Sequence, residues 1–117
     1  MNIADSTVLV LEDEIIVAFA LEDMLIDMGA RVSLANTIAE AYAHLQGDGH
    51  IALAVLDVNV NGAKSYPVAE ELRRRGIQVV FATGYGDAEH PSDFRETPTL
   101  TKPYTSVQLA QVVARLS

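Results

Sequence analysis

A few polar residues stand where the chain is otherwise apolar or about to turn, and their types suit a hard cation and phosphate. Glu12 and Asp13 end the apolar run Val8-Leu9-Val10-Leu11. Asp57 interrupts the most apolar predicted strand, Ile51 to Val58, where an unpaired carboxylate would be expensive to desolvate. Thr83 follows Val79-Val80-Phe81-Ala82, and Lys102 follows Thr99-Leu100-Thr101. Carboxylates gathered together repel one another and favour a cation among them. All-oxygen donors of this kind suit Mg²⁺ (or Mn²⁺), and a lysine facing them suits phosphoryl oxygens. Taken singly, each residue has an ordinary explanation. The acidic pair complements a helix N-terminus, Thr83 is a turn residue, and Lys102 is a solvated loop charge. The functional reading rests on all of them reaching one edge.

The elements that would bring them there alternate. Val8 to Leu11 reads as a strand, Ile15 to Met28 as a helix stopped by Gly29, and Arg31 to Ala35 as a second strand. Asn36 or Thr37 can cap a helix bearing Ile38, Ala41, Tyr42 and Leu45, closed by Gly47-Asp48-Gly49. After the Ile51–Val58 strand, Asn61-Gly62 makes a turn. Ser65-Tyr66-Pro67 starts a helix that ends at Gly76, with proline tolerated in the first turn. Val79 to Ala82 and Thr99 to Thr101 are the last strands. Thr105 or Ser106 caps a final helix carrying Val107, Leu109, Val112, Val113 and Leu116. Such alternation predicts a parallel sheet with helices on both faces. Ligands of such sheets bind beyond the C-terminal strand ends, where the polar residues fall. Between Gly86 and Pro98 a fourth helix is due, but only Ala88 and Phe94 are there to bury. A short or irregular helix is expected.

The acidic pair, the strand-ending Asp57, Thr83 and Lys102-Pro103 together resemble the receiver domain of two-component response regulators. The resemblance covers essentially the whole chain, 1–117, as one receiver domain. It implies a flavodoxin-like (βα)5 doubly wound parallel sheet with strand order 2-1-3-4-5. It further implies that Asp57 accepts a phosphoryl group from a histidine kinase or histidine phosphotransfer protein. Asp13, Asp57 and the backbone carbonyl of Asn59 would ligate Mg²⁺, with Glu12 acting directly or through water. Lys102 would pair with phosphoryl oxygens, Thr83 would swing toward them, and Pro103 would follow a cis peptide bond. The protein would be a non-enzymatic switch, catalysing only its own phosphorylation and dephosphorylation, and altering its strand-4, helix-4 and strand-5 face to change partner binding.

Phe81-Ala82-Thr83-Gly84-Tyr85-Gly86 resembles the core of a Phe-Ala-Thr-Gly-x-Tyr motif that marks a receiver subgroup. Gly84 and Gly86 would permit unusual backbone angles there. Many receivers place an aromatic residue three positions before the lysine, where this chain has Thr99. Tyr85 is the substitute reporter expected from sequence.

In the first helix, Val17, Ala18, Leu21, Leu25 and Met28 form one stripe, leaving Ile15, Phe19 and Ile26 outside it. Ile15, Ile16 and Phe19 are expected to dock the phosphodonor. Extra packing against the last helix is the competing reading. His44, His50 and His90 lack metal-ligand spacing and are expected at the surface. Arg73-Arg74-Arg75 reads as the solvated end of a helix.

A length of 117 residues fits one domain. The net charge of -8 argues against non-specific DNA binding. No apolar run is long enough for a membrane span, no secretory leader is recognisable, and cysteine is absent, so a cytoplasmic residence is expected. Four other readings compete: a phosphorelay sink, a phosphorylation-independent scaffold, a phosphatase with an Asp nucleophile, and a mononucleotide binder. The phosphatase would want a second Asp where Asn59 stands. The nucleotide binder would want phosphate-cradling amides where Glu12-Asp13-Glu14 stands.

Overall fold

The computed structural model describes residues 1–47, 49–84 and 90–116. In chain order the elements are β1 (Thr7–Leu11), α1 (Ile15–Asp27), β2 (Arg31–Ala35), α2 (Ile38–Gly47) and β3 (Ile51–Asp57). Next come the two-residue strands β4 (Asn59–Val60) and β5 (Ala63–Lys64), then α3 (Tyr66–Arg74) and β6 (Gln78–Thr83). A 3-10 turn (Ser92–Phe94), β7 (Thr99–Thr101) and α4 (Ser106–Arg115) complete the chain. The main sheet is parallel with order β2-β1-β3-β6-β7. With the separate β4–β5 hairpin set aside, this is the parallel sheet predicted from the alternation, in the flavodoxin-like 2-1-3-4-5 order that the receiver-domain resemblance implies.

The central strands are apolar because both of their faces are covered. In β1, Val8 and Val10 pack with Leu21 and Leu25 of α1 and Leu109 and Val113 of α4. Leu9 and Leu11 point the other way, toward Leu45 of α2, Leu72 of α3 and Phe81 of β6. The two-residue period of a strand thus divides one core between two layers.

Helix α1 stops where Gly29 takes φ +90° and its N–H donates to the Ile26 carbonyl at 2.8 Å. A Cβ there would stand 3.2 Å from Ala4 Cα. Gly29→Ala is therefore expected to lower stability by about 1–2 kcal/mol, from left-handed strain and crowding together, as read by urea unfolding.

Asn61 and Gly62 have φ of +51° and +84°, the pair of positive values that closes a tight hairpin. The turn was legible, but the strands β4 and β5 flanking it were not, since two residues carry no periodicity. Thr37 caps α2 by accepting from the Glu40 N–H at 3.1 Å. Thr105 caps α4 in a reciprocal box with Gln108.

Of the apolar residues that the last helix carries, Val107 is 63 % exposed. Leu109 and Val113 already define the buried stripe of α4, and a residue two before Leu109 falls on the opposite side of a helix. Contrary to expectation, the histidines are not all at the surface. His90 and His44 are half-buried, and His44 Nε2 lies 3.0 Å from the Leu34 carbonyl, whereas His50 is exposed.

Where the fourth helix was expected, the described residues hold one 3-10 turn that buries Phe94. Gly86 and Ala88 lie outside the described residues. Among the described residues, no helix is long and apolar enough to cross a membrane.

Candidate phosphoacceptor site

Parallel pairing aligns the C-terminal strand ends. Leu11 is in register with Leu56, Asp57 with Ala82, and Thr83 with Thr101. Residues just past or at those ends therefore converge from four stretches of chain. Carboxylate oxygens of Glu12, Asp13 and Asp57 all lie within 4.8 Å of one another. Lys102 Nζ pairs with Glu12 Oε1 and stands 3.3 Å from Asp57 Oδ2. Thr83 is buried, and its carbonyl accepts the Lys102 N–H at 2.8 Å, which ties the ends of β6 and β7 together. The Lys102–Pro103 peptide is cis.

The remaining expected site residues are placed as follows. Asn59 opens β4 and is exposed. Gly84 is exposed and does not adopt a positive φ, so the backbone freedom expected of it is not used here. Tyr85 lies outside the described residues.

A second layer of amides holds the acids. The Asn61 N–H donates to Asp13 Oδ2 at 2.9 Å, and the Glu14 N–H to Glu12 Oε2 at 3.1 Å. Asn36 Nδ2 donates to the Glu12 carbonyl at 2.9 Å, and Asn61 Nδ2 to the Asn36 carbonyl at 3.4 Å. Sequence reasoning gave neither asparagine this role. Asn61 was visible only as a turn residue and Asn36 only as a cap candidate.

The electrostatics follow from burial. Burial pushes the Asp57 carboxyl up to about 6, the Glu12 charge adds to this, and Lys102 opposes it. Burial also works against the Lys102 ammonium. Its hydrogen bond to Glu12 and the Asp57 charge outweigh that, and the ammonium is held above its ordinary range. For Asp13 burial is outweighed by the Asn61 N–H and neighbouring side-chain hydrogen bonds, and its carboxyl is held below the usual range. The hydroxyl of Tyr104 is raised to about 12 by burial, and by the charges of Glu12 and Asp57. Two of the three clustered carboxylates face Lys102, and the excess negative charge and oxygen-only donors fit a divalent hard cation.

Beside this edge, a groove of about 440 Å³ runs between α1 and the turn after β7, lined by Glu14, Ile16, Ala20, Met24, Pro103 and Tyr104. Ile15, Ile16 and Phe19 are exposed at 53 %, 83 % and 52 %. At the start of α3, Ser65 is fully buried and its hydroxyl has no hydrogen-bond partner among the described residues. Ser65→Ala is expected to leave stability unchanged or raise it by up to about 1 kcal/mol in thermal unfolding, since no bond is lost.

A doubly wound parallel sheet with an acid cluster and a lysine at its C-terminal edge defines a class. The chain belongs to the response regulator receiver domains, whose family model matches residues 8–114. Among solved structures it is similar to SdrG from Sphingomonas melonis Fr1, with 41% identity over 97% of both chains and a TM-score of 0.83. The BeF3-activated conformation of SdrG from Pseudomonas melonis Fr1 is similar at 42% identity over 95% of both chains, with a TM-score of 0.80. A response regulator receiver protein from Sinorhizobium medicae WSM419 shares 25% identity over 95% of this chain and 93% of its own, with a TM-score of 0.78. A search of curated protein sequences gives no match.

Proposed function

We propose that this chain is a phosphoacceptor switch in which Asp57 takes a phosphoryl group from the phosphohistidine of a kinase or phosphotransfer protein. The observation that carries the reading is Lys102 standing between Glu12 and Asp57 at the rim of a three-carboxylate cluster. An Asp57 oxygen forms the new P–O bond as the P–N bond to the donor imidazole breaks, and the electron pair leaves with the imidazole. Lys102 is close enough to Asp57 to follow the charge onto the phosphoryl oxygens, which is the positioning and neutralisation that phosphoryl transfer needs. Thr83, buried at the adjoining strand end, would offer its hydroxyl to the new group.

Glu12, Asp13 and Asp57, with the Asn59 carbonyl, are the groups that would hold Mg²⁺. When bound, the ion neutralises negative charge on the acids and on the transferred group. Burial works against the Asp13 charge, but the Asn61 N–H and neighbouring hydrogen bonds outweigh it, so this ligand keeps its charge beside the other two acids.

Titrating beryllofluoride with Mg²⁺ tests the reading. Saturable amide shifts near Thr83 and Gly84 are expected in the wild type and none in Asp57→Asn. Silent spectra in both would leave a phosphorylation-independent scaffold. The exposed apolar side chains of α1 and the adjacent groove suit the donor's helices. Phe19→Asp is expected to slow transfer from a cognate kinase at least about tenfold, the effect of losing roughly 1.4 kcal/mol of binding, while labelling by a small phosphodonor is unchanged. Equal loss in both assays would make Phe19 a structural residue.

A further inference from the structure

His90 is the half-buried histidine to which neither the fold nor the phosphoacceptor chemistry assigns a role. Its Nδ1 lies 2.7 Å from the Tyr66 hydroxyl at the start of α3, and its Nε2 lies 2.8 Å from Thr99 Oγ1 on β7. Thr99 Oγ1 is itself committed as a donor to the Thr97 carbonyl at 3.1 Å. That commitment sets the polarity of the chain. The threonine oxygen must accept from His90 Nε2–H, and Nδ1 must then accept from the Tyr66 hydroxyl. One neutral tautomer satisfies both ends.

The ring is also wedged among aromatics. It lies 4.8 Å from Phe81 and 5.7 Å from Tyr66, centroid to centroid. Phe81 and Thr99 are register partners of β6 and β7. Residues two apart on a strand share a face, so the ring covers the pair immediately behind Thr83 and Thr101. Three elements meet at one imidazole, next to the edge that bears Asp57.

We propose that the neutral His90 imidazole is a pH-sensitive latch, fastening the chain at residue 90, just ahead of the 3-10 turn, to α3 and β7. A proton on Nδ1 removes the acceptor that the Tyr66 hydroxyl uses, so the hydroxyl must turn and accept from Nδ1–H, and it places a charge on a half-buried ring whose described hydrogen-bond partners, Tyr66 and Thr99, are both neutral. Tyr66 from α3 is the titratable group on the ring; β6 presents Phe81 and β7 presents Thr99. Burial lowers the imidazole's proton affinity and holds Tyr66 neutral, as a closed latch requires. The device needs no phosphoryl group, so it stands whether or not Asp57 is phosphorylated.

The test uses the full chain carrying Asp57→Asn, which removes the carboxyl that titrates in the same range. Imidazole nitrogen shifts and amide protection factors at Phe94 and Thr97 are followed from pH 8 to 5. Expected are a single Nε2–H tautomer at high pH, a midpoint below an ordinary histidine's, and a loss of protection of about tenfold that tracks that midpoint. His90→Phe, which keeps a ring without nitrogens, should show the low protection at every pH. Tyr66→Phe, which keeps all three rings, should raise the His90 midpoint and shrink the step. Mixed tautomers at high pH, or the same protection in all three proteins across the range, would overturn the latch.

Discussion

Replacing Lys102 with methionine is expected to lower the stability of the metal-free protein by about 3–5 kcal/mol at neutral pH, the usual effect of removing one member of a buried ionic cluster. The ammonium is the described cation facing Glu12 and Asp57, whose side chains are 3 % and 10 % exposed. Methionine fills similar volume, so packing is largely kept and the loss is electrostatic. Two features separate this from a generic core defect. Mg²⁺ should restore much of the lost stability, because a divalent ion answers the same charges. The loss should also shrink in an Asp57→Asn background, since the two sites share a partner and their effects do not add. Urea unfolding of the four proteins of that cycle, with and without Mg²⁺, reads both; additive losses insensitive to the ion would refute the electrostatic account.

Asp57→Asn alone has the opposite sign. It is expected to stabilise the metal-free protein at neutral pH by up to about 3 kcal/mol, while abolishing phosphoryl labelling completely. The Asp57 carboxyl is raised from 3.8 to about 6. Between those values the folded chain holds a proton that the unfolded chain has already released. Wild-type stability therefore falls as pH climbs through that window, and the full penalty is present above it. Well below pH 3.8 both states are protonated and the penalty vanishes. Unfolding free energies of wild type and Asp57→Asn across pH 4–8 should diverge with rising pH. Parallel curves would show that Asp57 is not held ionised against its surroundings. A site whose acceptor destabilises the empty fold is under tension that a cation or phosphoryl group with its cation can relieve. That links the stability prediction to the proposed switch.

The amino-acid sequence alone determined the alternation of the five main-sheet strands with the longer helices, the parallel sheet and the edge on which chemistry would sit. It could do so because those features are local or periodic. Val8–Leu11 and Ile51–Val58 can only be buried strands, Gly29 marks a helix end by its freedom at positive φ, and parallel strands must share one C-terminal edge. Asp57 stood out because its neighbours are uniformly apolar.

Tertiary structure alone decided how the edge is divided. Glu12 and Asp13 look equivalent in sequence, yet Glu12 is buried against Lys102, whereas Asp13 is half-exposed and held by the Asn61 amide. Ninety positions separate Glu12 from Lys102, and no periodicity reports a pairing across that distance. His90 makes the same point. With no ligand spacing it reads as a surface residue, but its surroundings come from Tyr66, Phe81 and Thr99. Side-chain environment is a property of what the fold brings near, and a single residue's neighbours in sequence carry no record of it.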